Sequence, residues 1–439
     1  MDFDVIVIGG GPGGTAAAKR LARGGKKVGL ISPELGGECL NYGCIPTKTY
    51  LWTTDMFEKM KDMSATYGID VTGVTINWQK LQQRRVDVIS KLKKGLAFSL
   101  QRLKVDIIEG WATFVDAHTV NVSGTSGERT LTADVIIIAA GSGAVALPGF
   151  EWNDRVISNR ELLQMDHIPS SLLIIGGGVI GVEFASIFAT LGTQVTIAEA
   201  QDRLLPLEDP DVSAEIARIF ARKNITIKTN TRMTPEETTG FEKVLVAVGR
   251  KASFEKLGIE KTGIATTPKA ITTNEMMQTN VAHIYAIGDV AGKCLLAYSA
   301  ESEGVIAAES ILGLTPKPLN YAVVPSTIFS LPEIASVGKN EAQLKAEHVE
   351  YLVGKSAYST NAKALIIGNR DGFAKMIVDA KTKKILGVHL IGEKATELIA
   401  QATLAMTHNM TVHDFHGAIQ SHPVVSEILK EACEGLIYA

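Results

Sequence analysis

The sequence predicts an α/β protein with two glycine-rich βαβ units and a C-terminal α+β domain. Three observations lead to this prediction. Two segments of the 439-residue chain repeat one order of buried strand, glycine turn, helix and second strand. Further buried strands end in glycine turns after each segment, and from about residue 320 alternating strands precede two apolar helices. Since βαβ crossovers join parallel strands, both units are expected in parallel sheets.

Length and composition fit a soluble globular protein of two or three domains, at roughly 100–200 residues per domain. The chain is 46% hydrophobic and 21% charged, with a net charge of −3. The absence of a basic block argues against binding to nucleic acid or a membrane surface. No apolar stretch approaches the roughly 20 residues that cross a bilayer, and the N-terminal segment lacks the basic region of a signal peptide. A soluble cytoplasmic protein is therefore expected, with an organellar protein after processing as the alternative.

The first unit runs from DVIVIGG (4–10) to KVGLI (27–31), and its GxGxxG motif falls on Gly9, Gly11 and Gly14. In this motif the first glycine allows a tight turn and the second lets the backbone approach a pyrophosphate. The third glycine lets the helix pack on the strand, and the helix N-terminus supplies N–H groups and a positive dipole. The unit predicts a dinucleotide site.

The second unit runs from SLLIIGG (171–177) to VTIAEA (195–200), with its motif on Gly176, Gly178 and Gly181. An acid about 20 residues past the glycines binds the ribose 2′-hydroxyl and repels a 2′-phosphate. Glu199 lies 18 residues after Gly181, which favours NAD over NADP.

At the corresponding place in the first unit the chain has Ser32, with Glu34 two residues further. A serine can hydrogen-bond a ribose, so the adenosine contact of this site is left open between the two residues. A later strand, HIYAIGDV (283–290), places Asp289 at a strand end, where α/β sheets bind ligands.

Cys39 and Cys44 form the one close pair among four cysteines, the others being Cys294 and Cys433. Positions five apart on a helix do not face each other, so a distorted turn at Gly43 is needed to bring the sulfurs within disulfide distance. The flanking residues supply no further metal ligands, which ranks a redox pair above a metal site. Two ordinary buried thiols are the remaining alternative.

The segment around this pair, GGECLNYGCIPTK (36–48), resembles the GGTCLNVGCIPSK signature of the dihydrolipoamide dehydrogenase and glutathione reductase family. This is the class I pyridine nucleotide–disulfide oxidoreductase family, and the nearest resemblance is to its dihydrolipoamide dehydrogenases. Further family segments follow in order along the chain: AAGS (139–142), GGGVIGVEFAS, VLVAVGR, YAIGDV, LAYSAESEG, FSLPEIASVG and SHPVVSE.

The resemblance implies two Rossmann-like domains, one binding FAD and one binding NAD, and a C-terminal α+β dimerisation domain. The expected boundaries are 1–142 for the first part of the FAD domain, 143–266 for a shortened NAD domain, 267–319 for the return to the FAD/central domain and 320–439 for the dimerisation domain.

The same resemblance implies catalytic roles. Cys44 matches the thiol that faces the flavin, and Cys39 matches the interchange thiol that meets the substrate. Lys48 is expected near the flavin N5, and Glu183 matches the acid that pairs with this lysine beside the nicotinamide.

His422 and Glu427 match the base and its carboxylate partner, which the family supplies across a dimer interface. No metal is expected. The residues expected to bind FAD and NAD are Gly9, Gly11, Pro12, Gly13, Gly14, Ser32, Glu34, Gly37, Glu38, Lys48, Ala112, Gly141, Ser142, Asp289, Leu296, Ala297, Tyr298, Gly176, Gly178, Val179, Ile180, Gly181, Glu183, Glu199 and Gly249.

The chain departs from the family pattern beyond Ser32. Gln420 stands where these dehydrogenases have the first histidine of HAHP, and Tyr298 replaces the histidine of LAH. Only about a dozen residues separate Thr231 from Lys243, which leaves no room for the β-meander of the family's NAD domain. The departures bear on substrate contacts and on NAD affinity.

The resemblance implies a homodimer that oxidises dihydrolipoamide with NAD⁺ and takes a small dithiol or a lipoyl domain as substrate. Mercuric reductase and the large thioredoxin reductases are disfavoured, because the C-terminus has only Cys433. Glutathione reductase is disfavoured by Glu199, and soluble transhydrogenase by the presence of both redox cysteines. Two alternatives remain: a reductase of another small disulfide, and a non-catalytic FAD-binding redox partner.

Overall fold

The computed structural model describes residues 1–61, 63–125 and 127–438. Helices and strands are numbered separately in chain order. The strands are β1 (Phe3–Ile8), β2 (Val28–Ser32), β3 (Asp106–Glu109), β4 (Trp111–Phe114), β5 (Thr119–Gly124), β6 (Gly127–Ile138), β7 (Ser142–Ala144), β8 (Val156–Ile157), β9 (Ser171–Ile175), β10 (Gln194–Ala198), β11 (Thr226–Lys228), β12 (Lys243–Val246), β13 (Arg250–Ala252), β14 (Ile284–Ala286), β15 (Ser326–Ile328), β16 (Glu333–Gly338), β17 (Tyr351–Ala357), β18 (Phe373–Asp379) and β19 (Ile385–Gly392).

The helices are α1 (Pro12–Arg23), α2 (Gly37–Tyr42), α3 (Cys44–Lys61), α4 (Met63–Tyr67), α5 (Trp78–Arg102), α6 (Asn159–Leu163), α7 (Val179–Thr190), α8 (Pro210–Arg222), α9 (Ala297–Ile311), α10 (Glu341–Ala346), α11 (Ala362–Ile366), α12 (Ala395–Thr407), α13 (Val412–Gly417) and α14 (Glu427–Ile437). None of the helices in the described ranges is long and apolar enough to cross a membrane.

The chain divides into two compact units, each built from three segments. The first unit contains Met1–Thr49, Gln82–Val145 and Gly249–Leu319, and the second contains Tyr50–Leu81, Ala146–Val248 and Asn320–Ala439. The domain boundaries expected from the sequence stay predictions.

In the first unit, strands β3, β2, β1, β6 and β14 pair in parallel. Their Val- and Ile-rich runs are buried, as expected for a parallel sheet that is covered on both faces. β6 also extends back to pair antiparallel with β5, which pairs with β4. Helices α1 and α9 approach closely, and glycine at residue 304 permits this, since a Cβ there would lie 2.4 Å from the carbonyl oxygen of Gly13.

The second unit contains two sheets. Strands β11, β10, β9, β12 and β8 form a parallel sheet, and β15, β16, β19, β18 and β17 form an antiparallel one. Between β11 and β12 the chain forms a short 3-10 turn at Glu236–Thr238 and no strand, in keeping with the short spacing in the sequence. Helices α12 and α14 bury their apolar faces against the antiparallel sheet. The α/β class with a C-terminal α+β domain is confirmed.

Candidate functional site

The glycine turn of the first unit is a tight backbone fold at the start of α1. Gly9 has φ +118°, and a Cβ on it would lie 2.1 Å from the carbonyl oxygen of Ala139. A Cβ on Gly14 would lie 1.9 Å from the carbonyl oxygen of Gly9, so any side chain here would push the helix off the strand. At Gly11 an added Cβ would meet only the Cα of Gly37, at 4.0 Å. The backbone is therefore open at the one glycine where a pyrophosphate has to approach.

The second unit repeats this geometry at the start of α7. Gly176 has φ +111° and approaches the carbonyl oxygen of Ala247, and a Cβ on Gly181 would lie 2.1 Å from the carbonyl oxygen of Gly176. At Gly178 an added Cβ would meet nothing within 4 Å. No side chain caps the N-terminus of either α1 or α7. Both turns thus fit the pyrophosphate of a dinucleotide, through open backbone and a helix dipole.

Glu199 lies directly after β10 and is buried. Its carboxylate accepts the backbone N–H of Gly177 at 2.6 Å and that of Gln201 at 2.7 Å. These two bonds hold the carboxylate beside the glycine turn, where an acid that selects the ribose of NAD is expected.

The two redox cysteines lie on either side of a helix interruption at Gly43. Helix α2 ends at Tyr42, and Cys44 is the first residue of α3. A Cβ on residue 43 would lie 3.2 Å from the carbonyl oxygen of Glu38 and 3.4 Å from the Cα of Cys39, so glycine permits this close approach. The structure has the distorted turn that the spacing of the cysteines requires.

The side chains of Cys39 and Cys44 are hydrogen-bonded to each other, and both residues are half-buried. This hydrogen bond and burial together raise the pKa of the Cys39 thiol, while the positive charge of Lys48 acts in the opposite direction. Because only the thiolate is nucleophilic, Cys39 needs a base before it can attack a disulfide.

A polar cluster surrounds Asp289, which lies in the turn after β14. The hydroxyl of Ser142 donates to the Asp289 carboxylate. Arg250 donates from Nε to the Ser142 hydroxyl at 2.8 Å and from a terminal nitrogen to its carbonyl oxygen at 2.7 Å. Another nitrogen of this guanidinium lies 3.6 Å from Glu38, the residue before Cys39. Arg250 therefore connects Ser142 and Asp289 with helix α2, which carries Glu38 and Cys39.

Sequence reasoning gave no role to Arg250 or to Glu303. Arg250 ends the family segment VLVAVGR and follows a buried strand, a place where a charged residue is a signal of function. Glu303 is fully buried in α9 and accepts the backbone N–H of Gly288 at 2.6 Å, beside Asp289. The sequence gives no signal that separates Glu303 from the neighbouring exposed Glu301, and only the burial seen in the structure distinguishes them.

His422 and Glu427 form a pair in the second unit. His422 Nδ1 lies 2.9 Å from Glu427 Oε1, and the backbone N–H of Val424 donates to Glu427 Oε2 at 3.0 Å. These two hydrogen bonds lower the pKa of Glu427. The imidazole side chain is 70% exposed, which leaves Nε2 accessible from outside the chain. An oriented imidazole of this kind is suited to general-base catalysis.

The remaining expected site residues divide between the two units. Glu183 is buried in α7 and accepts the backbone N–H of Phe329 at 2.9 Å. The first unit contains Cys39, Cys44, Lys48, Gly37, Glu38, Ala112, Gly141, Ser142, Gly249, Asp289, Leu296, Ala297 and Tyr298. The second contains Val179, Ile180, Glu183, Glu199, His422 and Glu427. Within residues 1–61, 63–125 and 127–438, no group of three or more His, Cys, Asp or Glu side chains is placed to hold a metal ion.

Comparisons with known proteins identify the family to which these sites belong. The sequence model of the pyridine nucleotide-disulphide oxidoreductase family matches residues 3–304, and that of its dimerisation domain matches residues 324–433, which supports a homodimer. A dihydrolipoyl dehydrogenase of Bacillus subtilis is 38% identical over 461 residues, covering 98% of this chain and 97% of that protein.

Two solved structures are similar over almost the whole chain. LpdA from Mycobacterium tuberculosis has a TM-score of 0.92 and 26% identity, covering 98% of this chain and 99% of that one. The HOCl-induced flavoprotein disulfide reductase RclA from Escherichia coli, in a Cu(II) complex, has a TM-score of 0.90 and 28% identity, covering 99% and 100%. The chain is therefore a flavoenzyme that uses FAD and NAD(H) as cofactors, and it belongs to the pyridine nucleotide-disulphide oxidoreductase family.

Proposed function

We propose that this flavin disulfide oxidoreductase is a dihydrolipoamide dehydrogenase, which oxidises dihydrolipoamide to lipoamide and reduces NAD⁺ to NADH. The observation that carries the proposal is the hydrogen-bonded Cys39–Cys44 pair across the interruption at Gly43. It occurs in a chain that aligns over nearly its full length with a dihydrolipoyl dehydrogenase. Glu199 beside the second glycine turn supports NAD as the acceptor.

In the proposed reaction, His422 of one subunit removes a proton from the substrate dithiol bound to its partner. The substrate thiolate attacks the sulfur of Cys39 in the Cys39–Cys44 disulfide, which forms a mixed disulfide and releases Cys44 as a thiolate. The second substrate thiol then attacks the substrate sulfur of the mixed disulfide, which closes the lipoamide ring and expels Cys39. The proton of this second thiol passes to Cys39, which is left as a thiol. His422 keeps the proton of the first thiol, and Glu427 stabilises the imidazolium.

When bound, FAD would carry the electron pair from the reduced cysteines to NAD⁺, which receives it as a hydride. We propose that Lys48 lies at the flavin and Glu183 at the nicotinamide. In this scheme the glycine turns bind the two pyrophosphates, and Asp289, oriented by Ser142 and Arg250, binds the ribityl chain.

The main alternative substrate is another small disulfide. RclA is named a flavoprotein disulfide reductase, and its structure matches this chain with a TM-score of 0.90, against 0.92 for LpdA. Gln420, two residues before His422, also replaces a histidine that dihydrolipoamide dehydrogenases have. This difference favours a test in which several disulfides compete.

The decisive experiment measures NAD⁺ reduction by dihydrolipoamide with the FAD-loaded dimer, alongside NADH oxidation by lipoamide, glutathione disulfide and cystine. We expect the highest kcat/KM with the lipoamide pair. Cys44→Ser should abolish turnover, by about a thousandfold or more. Cys433→Ala is the matched cysteine control, because Cys433 is buried in the α+β domain and contacts Met376.

If glutathione disulfide or cystine is reduced faster than lipoamide, the substrate assignment is wrong and the disulfide reductase assignment stands. If Cys44→Ser retains turnover with lipoamide, the proposed redox pair itself is wrong.

A further inference from the structure

The first nucleotide unit lacks the acid that usually binds the adenosine ribose, and the structure shows where its Ser32 points. Ser32 is buried at the end of β2, and its hydroxyl donates to the backbone carbonyl oxygen of Glu34 at 2.8 Å. A Cβ on Gly10 would lie 2.8 Å from this hydroxyl. The serine side chain is therefore occupied in holding the loop that follows it.

Glu34 extends from that loop, and two side chains hold its carboxylate. Lys93 of α5 donates from Nζ to Oε1 at 2.6 Å. Tyr42 of α2 donates its hydroxyl to Oε2 at 2.8 Å. The Glu34 side chain is 39% exposed, so the carboxylate is fixed in direction and still accessible.

The loop with Glu34 lies against the first glycine turn. The backbone N–H of Gly36 donates to the carbonyl oxygen of Gly10 at 2.8 Å. A Cβ on Gly37 would lie 2.8 Å from the Cα of Gly11, the glycine at which the pyrophosphate is expected. Glu34 thus follows a backbone segment that is packed directly on the phosphate-binding turn.

We propose that Glu34, held by Lys93 and Tyr42, binds the adenosine ribose of FAD in place of the missing acid at residue 32. A carboxylate has about four acceptor positions, and the Glu34 side chain is exposed enough to accept from ribose hydroxyls in addition to its protein partners. Lys93 and Tyr42 are positioning residues in this arrangement. The proposal rests on FAD binding by the family and is independent of the substrate proposed above.

The Tyr42 hydrogen bond has a second consequence. Tyr42 lies between Cys39 and Cys44 in the sequence and is the last residue of α2. Its hydrogen bond to Glu34 therefore connects the proposed adenosine subsite with helix α2, which carries Cys39. Neither Tyr42 nor Lys93 belongs to the residues expected from the family pattern.

The test is equilibrium titration of the apoprotein with FAD, followed by quenching of flavin fluorescence. Glu34→Gln should raise the FAD Kd about tenfold to a hundredfold, as expected for loss of hydrogen bonds to a charged group. Lys93→Met and Tyr42→Phe should raise it less. Lys94→Met, at the neighbouring exposed lysine, is the matched control and should leave the Kd unchanged.

Two half-ligands separate this role from a general effect on the fold. Competition by ADP, which carries the adenosine ribose, should weaken in Glu34→Gln, whereas FMN binding should not change. In the Glu34→Gln/Lys93→Met double variant, the loss of FAD binding free energy should be smaller than the sum of the two single losses. Both substitutions disrupt the same Glu34–Lys93 ion pair. An unchanged FAD Kd in Glu34→Gln, or equal losses for FMN and ADP, would overturn the proposal.

If Glu34→Gln fails to fold, Tyr42→Phe decides, since it removes a single hydroxyl. A raised Kd for FAD with an unchanged Kd for FMN supports the proposal, and no change for FAD overturns it.

Discussion

At the scale of single residues, the proposed site needs a base for the thiol of Cys39. Its hydrogen bond to Cys44 and its burial raise the pKa of the thiol, so the protonated form predominates near neutral pH. A thiol in this state reacts slowly, because the thiolate is the nucleophile. The His422–Glu427 pair, with its exposed imidazole, is the group we propose to remove the proton.

We therefore predict that His422→Gln lowers kcat for lipoamide reduction about 10²- to 10⁴-fold at pH 7, the usual contribution of a general base. The remaining rate should increase with pH, since hydroxide then forms the thiolate that the missing base cannot. Steady-state rates between pH 6 and 10 measure both effects. His413→Gln, at an exposed histidine of the same region, is the control. A variant with the wild-type rate and pH profile would rule out His422 as the base.

Glu199 gives a second prediction at this scale. Its carboxylate is fixed by the N–H groups of Gly177 and Gln201 and can accept ribose hydroxyls. Glu199→Gln should raise KM for NAD⁺ about tenfold and reduce the discrimination against NADP⁺, because the negative charge that repels a 2′-phosphate is lost. Initial rates with both nucleotides measure this, with Glu236→Gln as an exposed control. An unchanged ratio of the two kcat/KM values would contradict the role.

At the scale of elements, a buried ion cluster joins helix α8 to strand β18 within the second unit. Lys375 is 2% exposed, and its Nζ lies 3.0 Å from Asp209, 3.2 Å from Asp211 and 2.5 Å from Glu341. Burial alone would lower the pKa of Lys375, but these carboxylates outweigh it and raise the pKa. Asp209 is itself fully buried and caps α8, so it depends on this lysine for its charge partner.

Lys375→Met should therefore destabilise the protein by about 3–5 kcal/mol, the usual cost of leaving one buried charge without its partner. Lys355→Met is the matched control: Lys355 is 46% exposed and pairs with Asp211 at 3.1 Å, so less than about 1 kcal/mol is expected. Urea unfolding of both variants measures the difference. Equal losses would show that the buried cluster has no special role.

The pH dependence of this cluster follows from its carboxylates. Burial raises the pKa of Glu341 and Asp211, but hydrogen bonds with Lys375 and neighbouring groups outweigh burial and leave both pKa values lowered. A lowered pKa in the folded state contributes stability above the unfolded pKa, and this stability is lost as pH falls through the folded value. The cluster should therefore weaken on acidification below the ordinary carboxylate pKa range.

The sequence predicted elements better than contacts. Both glycine turns, the interruption at Gly43 and the positions of Glu199 and Asp289 follow from local patterns, because a turn or a strand end is specified by adjacent residues. The pairing of Arg250 with Ser142 joins residues 108 positions apart, and that of Lys93 with Glu34 joins residues 59 apart. Such pairs are set by tertiary packing, which periodicity and motif spacing do not encode.

At the scale of the whole molecule, the chain aligns with 97% of the Bacillus subtilis dihydrolipoyl dehydrogenase. The second nucleotide unit is the part that the sequence predicts to be shortened. The second glycine turn is present, and Glu199 is hydrogen-bonded to it. The short segment between β11 and β12 contains a 3-10 turn at Glu236–Thr238. The NAD site proposed here does not depend on the shortened segment.

The proposed site is shared across the dimer: His422 of one subunit is the base for the Cys39–Cys44 pair of the other. Mixing Cys44→Ser and His422→Gln subunits, each of which should have at most about a hundredth of the wild-type rate as a homodimer, tests it most directly. In a hybrid, one site combines intact cysteines with an intact His422 from the partner. With random exchange about half of the dimers are hybrids, each with one intact site, so roughly a quarter of the wild-type rate of NAD⁺ reduction by dihydrolipoamide should return. If the mixture stays inactive while subunit exchange is demonstrated, the base does not act across the dimer and the proposed site is wrong.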